Sequence, residues 1–122
     1  KKVRKHLSKD GIFIFDINSH YKLKHIIGNN TFIEDGEDIY YIWENSFYER
    51  ENIAEFYITF FTKDVDNKYI RFEEEHMERA YYTEEILELL KAANFNEIHL
   101  YGDFSFERPH EKSERITIVA MA

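Results

Sequence analysis

Eight residues, Gly11-Ile12-Phe13-Ile14-Phe15-Asp16-Ile17-Asn18, constrain the fold more than any other stretch of the chain. Ile and Phe occupy both parities from Ile12 to Phe15, so an extended segment there has no face suited to water. The run is too short, and too rich in Ile and Phe, for a buried helix. It predicts a strand covered on both sides, as in a parallel sheet. Asp10-Gly11 opens the run, and Asp16 and Asn18 close it with polar groups. In open α/β sheets ligands sit beyond the carboxyl ends of the strands, so Asp16 and Asn18 mark where a site would lie. The other reading is that they only end a strand and cap the helix that follows.

A chain of 122 residues is long enough for one domain with a modest core. Its 43% hydrophobic and 17% aromatic content suits a folded domain rather than a disordered one. The formal net charge of −8 disfavours nonspecific binding to nucleic acid or to an anionic membrane. No apolar run approaches bilayer length. The basic start, Lys1-Lys2-Val3-Arg4-Lys5-His6, leads into no signal-peptide core. Without cysteine there is neither a disulfide framework nor a thiolate metal site, which points to a cytoplasmic setting. The chain opens at Lys1 inside what reads as a helix end, and is expected to be a segment of something longer.

Val3, His6 and Leu7 share a helical face, which Ser8-Lys9-Asp10-Gly11 breaks before the apolar run. After the run, Asn18 or Ser19 can cap a short helix through Ile27. Leu23, Ile26 and Ile27 form its stripe, and Gly28 stands at the stop position. From Asp38 to Tyr82 three long segments are rich in aromatic and β-branched residues. The first, Asp38 to Tyr48, sets Ile39, Tyr41, Trp43 and Phe47 on one face. The second, Ile53 to Thr62, sets Ala54, Phe56, Ile58 and Phe60 on one face. The third runs from Lys68 to Tyr82. Short polar connections at Glu49–Asn52 and Asp64–Asn67 predict an antiparallel meander of two hairpins. The third segment becomes polar on both faces from Glu73 to Arg79, so it must lie at an edge or line a wet cleft. Thr83 reads as the cap of a clear helix with Glu84 and Glu85 in its first turn. Ile86, Leu87, Leu89, Leu90 and Ala93 form its stripe, and Asn94 takes the left-handed stop. Ile98–Tyr101 is a short strand, Asp103–Ser113 a loop with the only proline, and Arg115–Met121 the last strand.

In this order the chain resembles the C-terminal half of a class I S-adenosylmethionine-dependent methyltransferase. Leu7-Ser8-Lys9-Asp10-Gly11 and the strand after it are similar to the family's Leu-Lys-Pro-Gly-Gly turn and fifth strand, with Lys9-Asp10-Gly11 where Pro-Gly-Gly is usual. Tyr82-Thr83-Glu84-Glu85-Ile86 through Ala93-Asn94-Phe95 is similar to the helix before the sixth strand, with Asn94 where Gly is usual. Glu114-Arg115-Ile116-Thr117-Ile118-Val119-Ala120 resembles the closing seventh strand. The meander, Ile42-Trp43-Glu44-Asn45 included, resembles the insert of a bacterial subgroup of these enzymes. The resemblance implies a mixed α/β fold: the C-terminal part of a Rossmann-like sheet, residues 1–31 and 83–122, with an antiparallel insert at 32–82 covering a substrate. It implies that Ile12–Asp16 runs parallel to Ile98–Tyr101, with Arg115–Met121 between them and antiparallel to both. It also implies methyl transfer from S-adenosylmethionine to a small-molecule acceptor. The family's cofactor fingerprint lies upstream. Gly11, Gly28, Gly36 and Gly102 form no G-x-G arrangement, so no cofactor-binding residue carries over to this chain.

For the acceptor, the candidate residues are Asn18, Trp43, His76, Arg79 and Tyr81. His76 with Arg79 and Glu75 could position a substrate or move a proton, facing a cleft shared with Asn18, or could form a solvated salt-bridge ladder on an edge strand. Trp43, Tyr41 and Tyr81 could wall an apolar pocket or be sheet core. In Glu73-Glu74-Glu75-His76 only Glu74 and His76 share a side of a strand, too few ligands for a metal. The other histidines are scattered singly and read as surface residues. The serines sit in no nucleophile elbow, which argues against a hydrolase. A second function class stays open: a non-catalytic module that binds a ligand or a protein through the aromatic meander. Either way the Gly11–Ile17 strand would leave an edge unpaired in the isolated segment. That predicts a homo-oligomer joined through this strand, or the meander folded over it.

Overall fold

In the computed structural model, which describes Lys1 to Ala122, the elements follow the expected order. A short helix, α1 (Lys2–His6), ends at Leu7, and a turn closed by Gly11 N–H to Ser8 O (3.1 Å) leads into β1 (Ile12–Asn18). A π-helix follows at Lys22–Ile27, then the strands β2 (Thr31–Asp35), β3 (Ile39–Tyr48), β4 (Ile53–Lys63) and β5 (Tyr69–Arg79). Helix α2 (Thr83–Ala92), β6 (Glu97–Gly102) and β7 (Arg115–Met121) complete the chain. Two compact units result, one made of Lys1–Lys22 with Tyr81–Ala122 and the other of Leu23–Ala80.

In the first unit the strand order is β1-β7-β6, with β7 antiparallel to both neighbours. β1 and β6 are therefore parallel, the topology expected from the resemblance. Phe13, Phe15 and Ile17 pack with Ile116, Ile118 and Ala120 against Ile86 and Leu90 of α2 and against Phe95. The opposite face of β1 is not covered: Ile12 is 51% exposed and Ile14 63%. The strand is thus packed on one side rather than two, because it lies at a sheet edge with the α2 core against only one face.

The helix α2 ends as its sequence foretells. Asn94 is left-handed (φ 65°), its N–H donates to Lys91 O (2.9 Å), and Phe95 N–H donates to Leu90 O (3.1 Å). Buried Phe95 and Leu90 belong to one apolar cluster, the contact that accompanies this stop. The start differs from the sequence reading. Thr83 is the first helical residue and Tyr82 holds the cap position, its N–H donating to the Glu85 carboxylate (2.9 Å).

The second unit is a four-stranded antiparallel sheet in the order β2-β3-β4-β5. β2 was not read from the sequence. Its five residues, Thr-Phe-Ile-Glu-Asp, are too few to show an alternation between the Asn29-Asn30 and Gly36-Glu37-Asp38 breaks. β5 is an edge strand, as its charged faces require. Leu23, Ile27, Phe47, Ala54 and Ala80 form the core of this unit, with Trp43 and Phe56 packed against it. The segment before β2 is a π-helix closed by Gly28 N–H to Leu23 O (2.9 Å). The left-handed stop falls on Asn29 (φ 59°), not on Gly28. Gly28 is needed for close approach instead: a Cβ there would lie 2.6 Å from Leu23 O and 2.8 Å from Phe47 Cβ.

Candidate functional site

The carboxyl end of β1 faces the amino end of β7, with Asp16 opposite Thr117 and Asn18 opposite Arg115. Two antiparallel strands thereby bring one arginine to two polar side chains nearly a hundred residues away. The Arg115 guanidinium pairs with the Asp16 carboxylate through Nε and donates from Nη1 to Asn18 Oδ1 (2.7 Å). Next to it, Ser19 accepts from Lys22 N–H at Oγ (3.0 Å), so Ser19 rather than Asn18 caps the turn after the strand. His20 stacks on Tyr82, with ring centroids 3.9 Å apart.

The loop from β6 to β7 is tied to the same place. Asp103 Oδ1 accepts from the backbone N–H of Glu114 (2.8 Å) and of Arg115 (3.1 Å). Those two donors, that of Arg115 foremost, hold the Asp103 carboxyl below its ordinary range. Asp103 (φ 52°) and Phe104 (φ 56°) are left-handed in succession. Such backbone costs of order 1 kcal/mol or more in a non-glycine residue. The hydrogen bonds at Asp103 offset that cost, and Phe104 is left presenting a ring that is 79% exposed. Lys22, Asp103, Phe104, Lys112, Glu114 and Arg115 line a cavity of about 340 Å³ there, within the range of small-molecule sites. Of these residues the sequence reading marked none. The signal was present only as an alternation, since Arg115 lies in register with Asn18 once the last strand is paired with the first.

A second, larger cavity of about 710 Å³ lies between α2, β6 and the loop, with Leu87, Ile98, Leu100, Tyr101, Phe106 and Arg108 among its walls.

In the second unit, strand register fixes which candidates share a face. Trp43 lies opposite Ile58, and Phe56 lies between Asn45 and His76. Trp43, Phe56 and His76 therefore sit on one face, with Trp43 edge-on to Phe56 at 5.7 Å between centroids. The Trp43 indole N–H is buried without a hydrogen-bond acceptor. His76 Nε2 lies 3.1 Å from Glu74 Oε2 on the same face. Arg79, paired with Ile53, points to the opposite face, so His76 and Arg79 are not brought together. Three residues apart on an unbroken strand, they could not be. On that opposite face Glu73 meets Arg71 and Tyr57. The Tyr57 hydroxyl is the main cause that lowers the Glu73 carboxyl, and Glu73 in turn raises Tyr57. Tyr81 belongs to the first unit, packed against the cluster around Ile86 and Leu90. No helix is long and apolar enough to cross a membrane.

No family model matches the chain. Among curated proteins it is 35% identical over 114 residues to a protein of Geobacillus sp. (strain WCH70) named "Putative methyltransferase". It is 33% identical over 116 residues to "Putative methyltransferase YqeM" of Bacillus subtilis (strain 168). These matches cover 93% and 95% of the chain, but only 46% and 47% of the relatives, so the chain spans about half of their length. Among solved structures, it superposes on an S-adenosylmethionine-dependent methyltransferase from Clostridium acetobutylicum ATCC 824 with a TM-score of 0.89 and 41% identity, covering 98% of this chain and 47% of that one. Over nearly its whole length, therefore, the chain is similar in sequence and in fold to about half of an S-adenosylmethionine-dependent methyltransferase.

Proposed function

We propose that the chain works as part of an S-adenosylmethionine-dependent methyltransferase, supplying one flank of the sheet and the cover over the acceptor, a small molecule. The observation that carries this reading is the match to the Clostridium enzyme, at 41% identity over 98% of this chain. The residues here do not suit the cofactor itself. None of the four glycines has a positive φ, and none belongs to a Gly-rich turn between a strand and a helix. Cofactor binding is accordingly assigned to the half of the relatives that this chain does not span.

Within the first unit, acceptor contact is assigned to the polar end of β1 at Asn18, which Arg115 orients. In the insert it is assigned to the face bearing Trp43 and His76. The buried indole N–H of Trp43 supports this, as a donor that lacks an acceptor within the fold. Arg79 lies on the other face of the insert's sheet, and Tyr81 packs, half-buried, against the core of the first unit. The chemistry asked of such a part is to hold acceptor and sulfonium carbon in line and to exclude water. A cytoplasmic setting fits a chain without cysteine.

The test is a chimera. The chain replaces its matched stretch in the Bacillus subtilis relative, and calorimetry measures S-adenosylmethionine binding to the chimera and to the chain alone. The chimera is expected to bind at micromolar concentration and the chain alone not. Micromolar binding by the chain alone would overturn the assignment of the cofactor site, and a folded chimera that binds none would overturn the reading.

A further inference from the structure

We propose that the cavity at the end of β1 is an oxyanion site, and that the acceptor it serves carries a carboxylate or phosphate group. This deepens, and rests on, the methyltransferase reading. The cavity holds positive charge that the fold does not use. The chain is acidic overall, yet three of the six side chains around this cavity are cationic: Lys22, Lys112 and Arg115. The carboxylates beside them are already engaged. Asp16 is paired with Arg115, and Asp103 is turned onto the backbone N–H groups of Glu114 and Arg115. That leaves the ammonium groups of Lys22 and Lys112, neither of which meets a carboxylate within the fold, beside Glu114, the one lining carboxylate that no cation or backbone N–H engages. Lys22 is half-buried, which limits the freedom of its stem at the cavity. Arg115 is fixed by two partners and presents its remaining N–H donors in a set direction. Phe104, held in its left-handed conformation, gives the cavity one apolar wall. Two free cations, one oriented guanidinium and one ring suit a compact anion attached to an apolar body.

The site belongs to the chain itself, so the test uses the whole 122-residue chain with inorganic phosphate and with succinate as probes. Amide shifts are followed by NMR during titration. Saturable shifts are expected at Lys22, Phe104, Lys112 and Glu114 with at least one probe, and the probe that binds more tightly names the class. The double variant Lys22→Ala/Lys112→Ala is expected to weaken binding at least about tenfold, a lower bound that is smaller than one full Coulombic contact near a protein surface. Glu114→Gln is expected to tighten it, a gain that lost folding cannot imitate. Shifts that do not saturate with either probe, or that saturate equally in the double variant, would overturn the proposal. So would a Glu114→Gln variant that binds no more tightly. The two readings fail separately. An anion site that survives in a chimera unable to bind S-adenosylmethionine would refute the methyltransferase reading alone. A chimera that binds the cofactor while its chain ignores both anions would refute only this inference.

Discussion

Asp103 does for the β6–β7 loop what a cap does for a helix, and its charge sets when the loop is held. Its pKa in the fold lies below the ordinary 3.8, chiefly through the Arg115 and Glu114 N–H groups. A depressed carboxylate contributes stability that is fully present above the unfolded value and is lost as the pH falls through the folded one. The Glu114 and Arg115 amide resonances should therefore move together in strong acid, below pH 3.8. Asp103→Asn should abolish that step while leaving the sheet intact; a step that persists in the variant would assign it to another group. Gly28 poses the opposite problem, one of room rather than charge. Its missing Cβ would meet a carbonyl oxygen at 2.6 Å and the Phe47 Cβ at 2.8 Å, neither of them the far end of a flexible chain. Overpacking of this kind costs about 1–3 kcal/mol. Gly28→Ala should lower the free energy of unfolding by that much, measured by denaturant titration, and an unchanged value would show that the π-helix yields at no cost.

At the scale of elements, the stop of α2 is where local and tertiary structure meet. Phe95 is both the residue whose N–H closes the helix end and a buried member of the core beneath β1 and β7. Phe95→Ala should cost about 3–5 kcal/mol, as for a buried aromatic. A loss under about 1 kcal/mol would mean the core can collapse around the gap. This element was legible in the sequence because its stripe, its acidic first turn and its Asn94 stop all agree. So was the β1-β7-β6 order, through the resemblance. The meander was legible from its alternation and short polar turns, two of which are closed by left-handed Asn52 and Asn67. The π-helix was not, since Leu23, Ile26 and Ile27 suit an α-helical stripe equally well and the close approach of Gly28 to Phe47 is a contact distant in sequence. The candidate site was half legible. Asn18 could be marked by its place after an apolar run, but Arg115, Asp103, Lys22 and Lys112 come together only through strand register and a loop with two left-handed residues. His76 and Arg79 looked like partners because they are close in sequence, and the parity of a strand separates them.

For the molecule as a whole, edges and net charge act against each other. Three of the four outer strands carry charge that deters pairing with another chain: β5 from Arg71 to Arg79, β2 at Glu34 and Asp35, and β6 at Glu97. β1 has none between Ile12 and Phe15, and no proline. It has β7 on one side only, and on its open face Ile12 and Ile14 lie opposite Met121 and Val119. An edge of this kind offers unpaired N–H and C=O groups next to apolar surface, both of which favour a second copy. Against this stands the net charge of −8, which repels like copies but is screened within about 10 Å at 0.1 M salt. The sign of the salt effect follows. If copies join through β1, added salt should strengthen the association, whereas an association held by ion pairs would weaken. We expect light scattering after size exclusion to show a dimer or larger species of this chain that grows with concentration and with salt. Ile14→Lys places a charge at the edge where none exists and should return the chain to a monomer. A monomer at all salt concentrations, with Ile12–Phe15 amides that exchange quickly, would show that the charge prevails and the edge stays open to water.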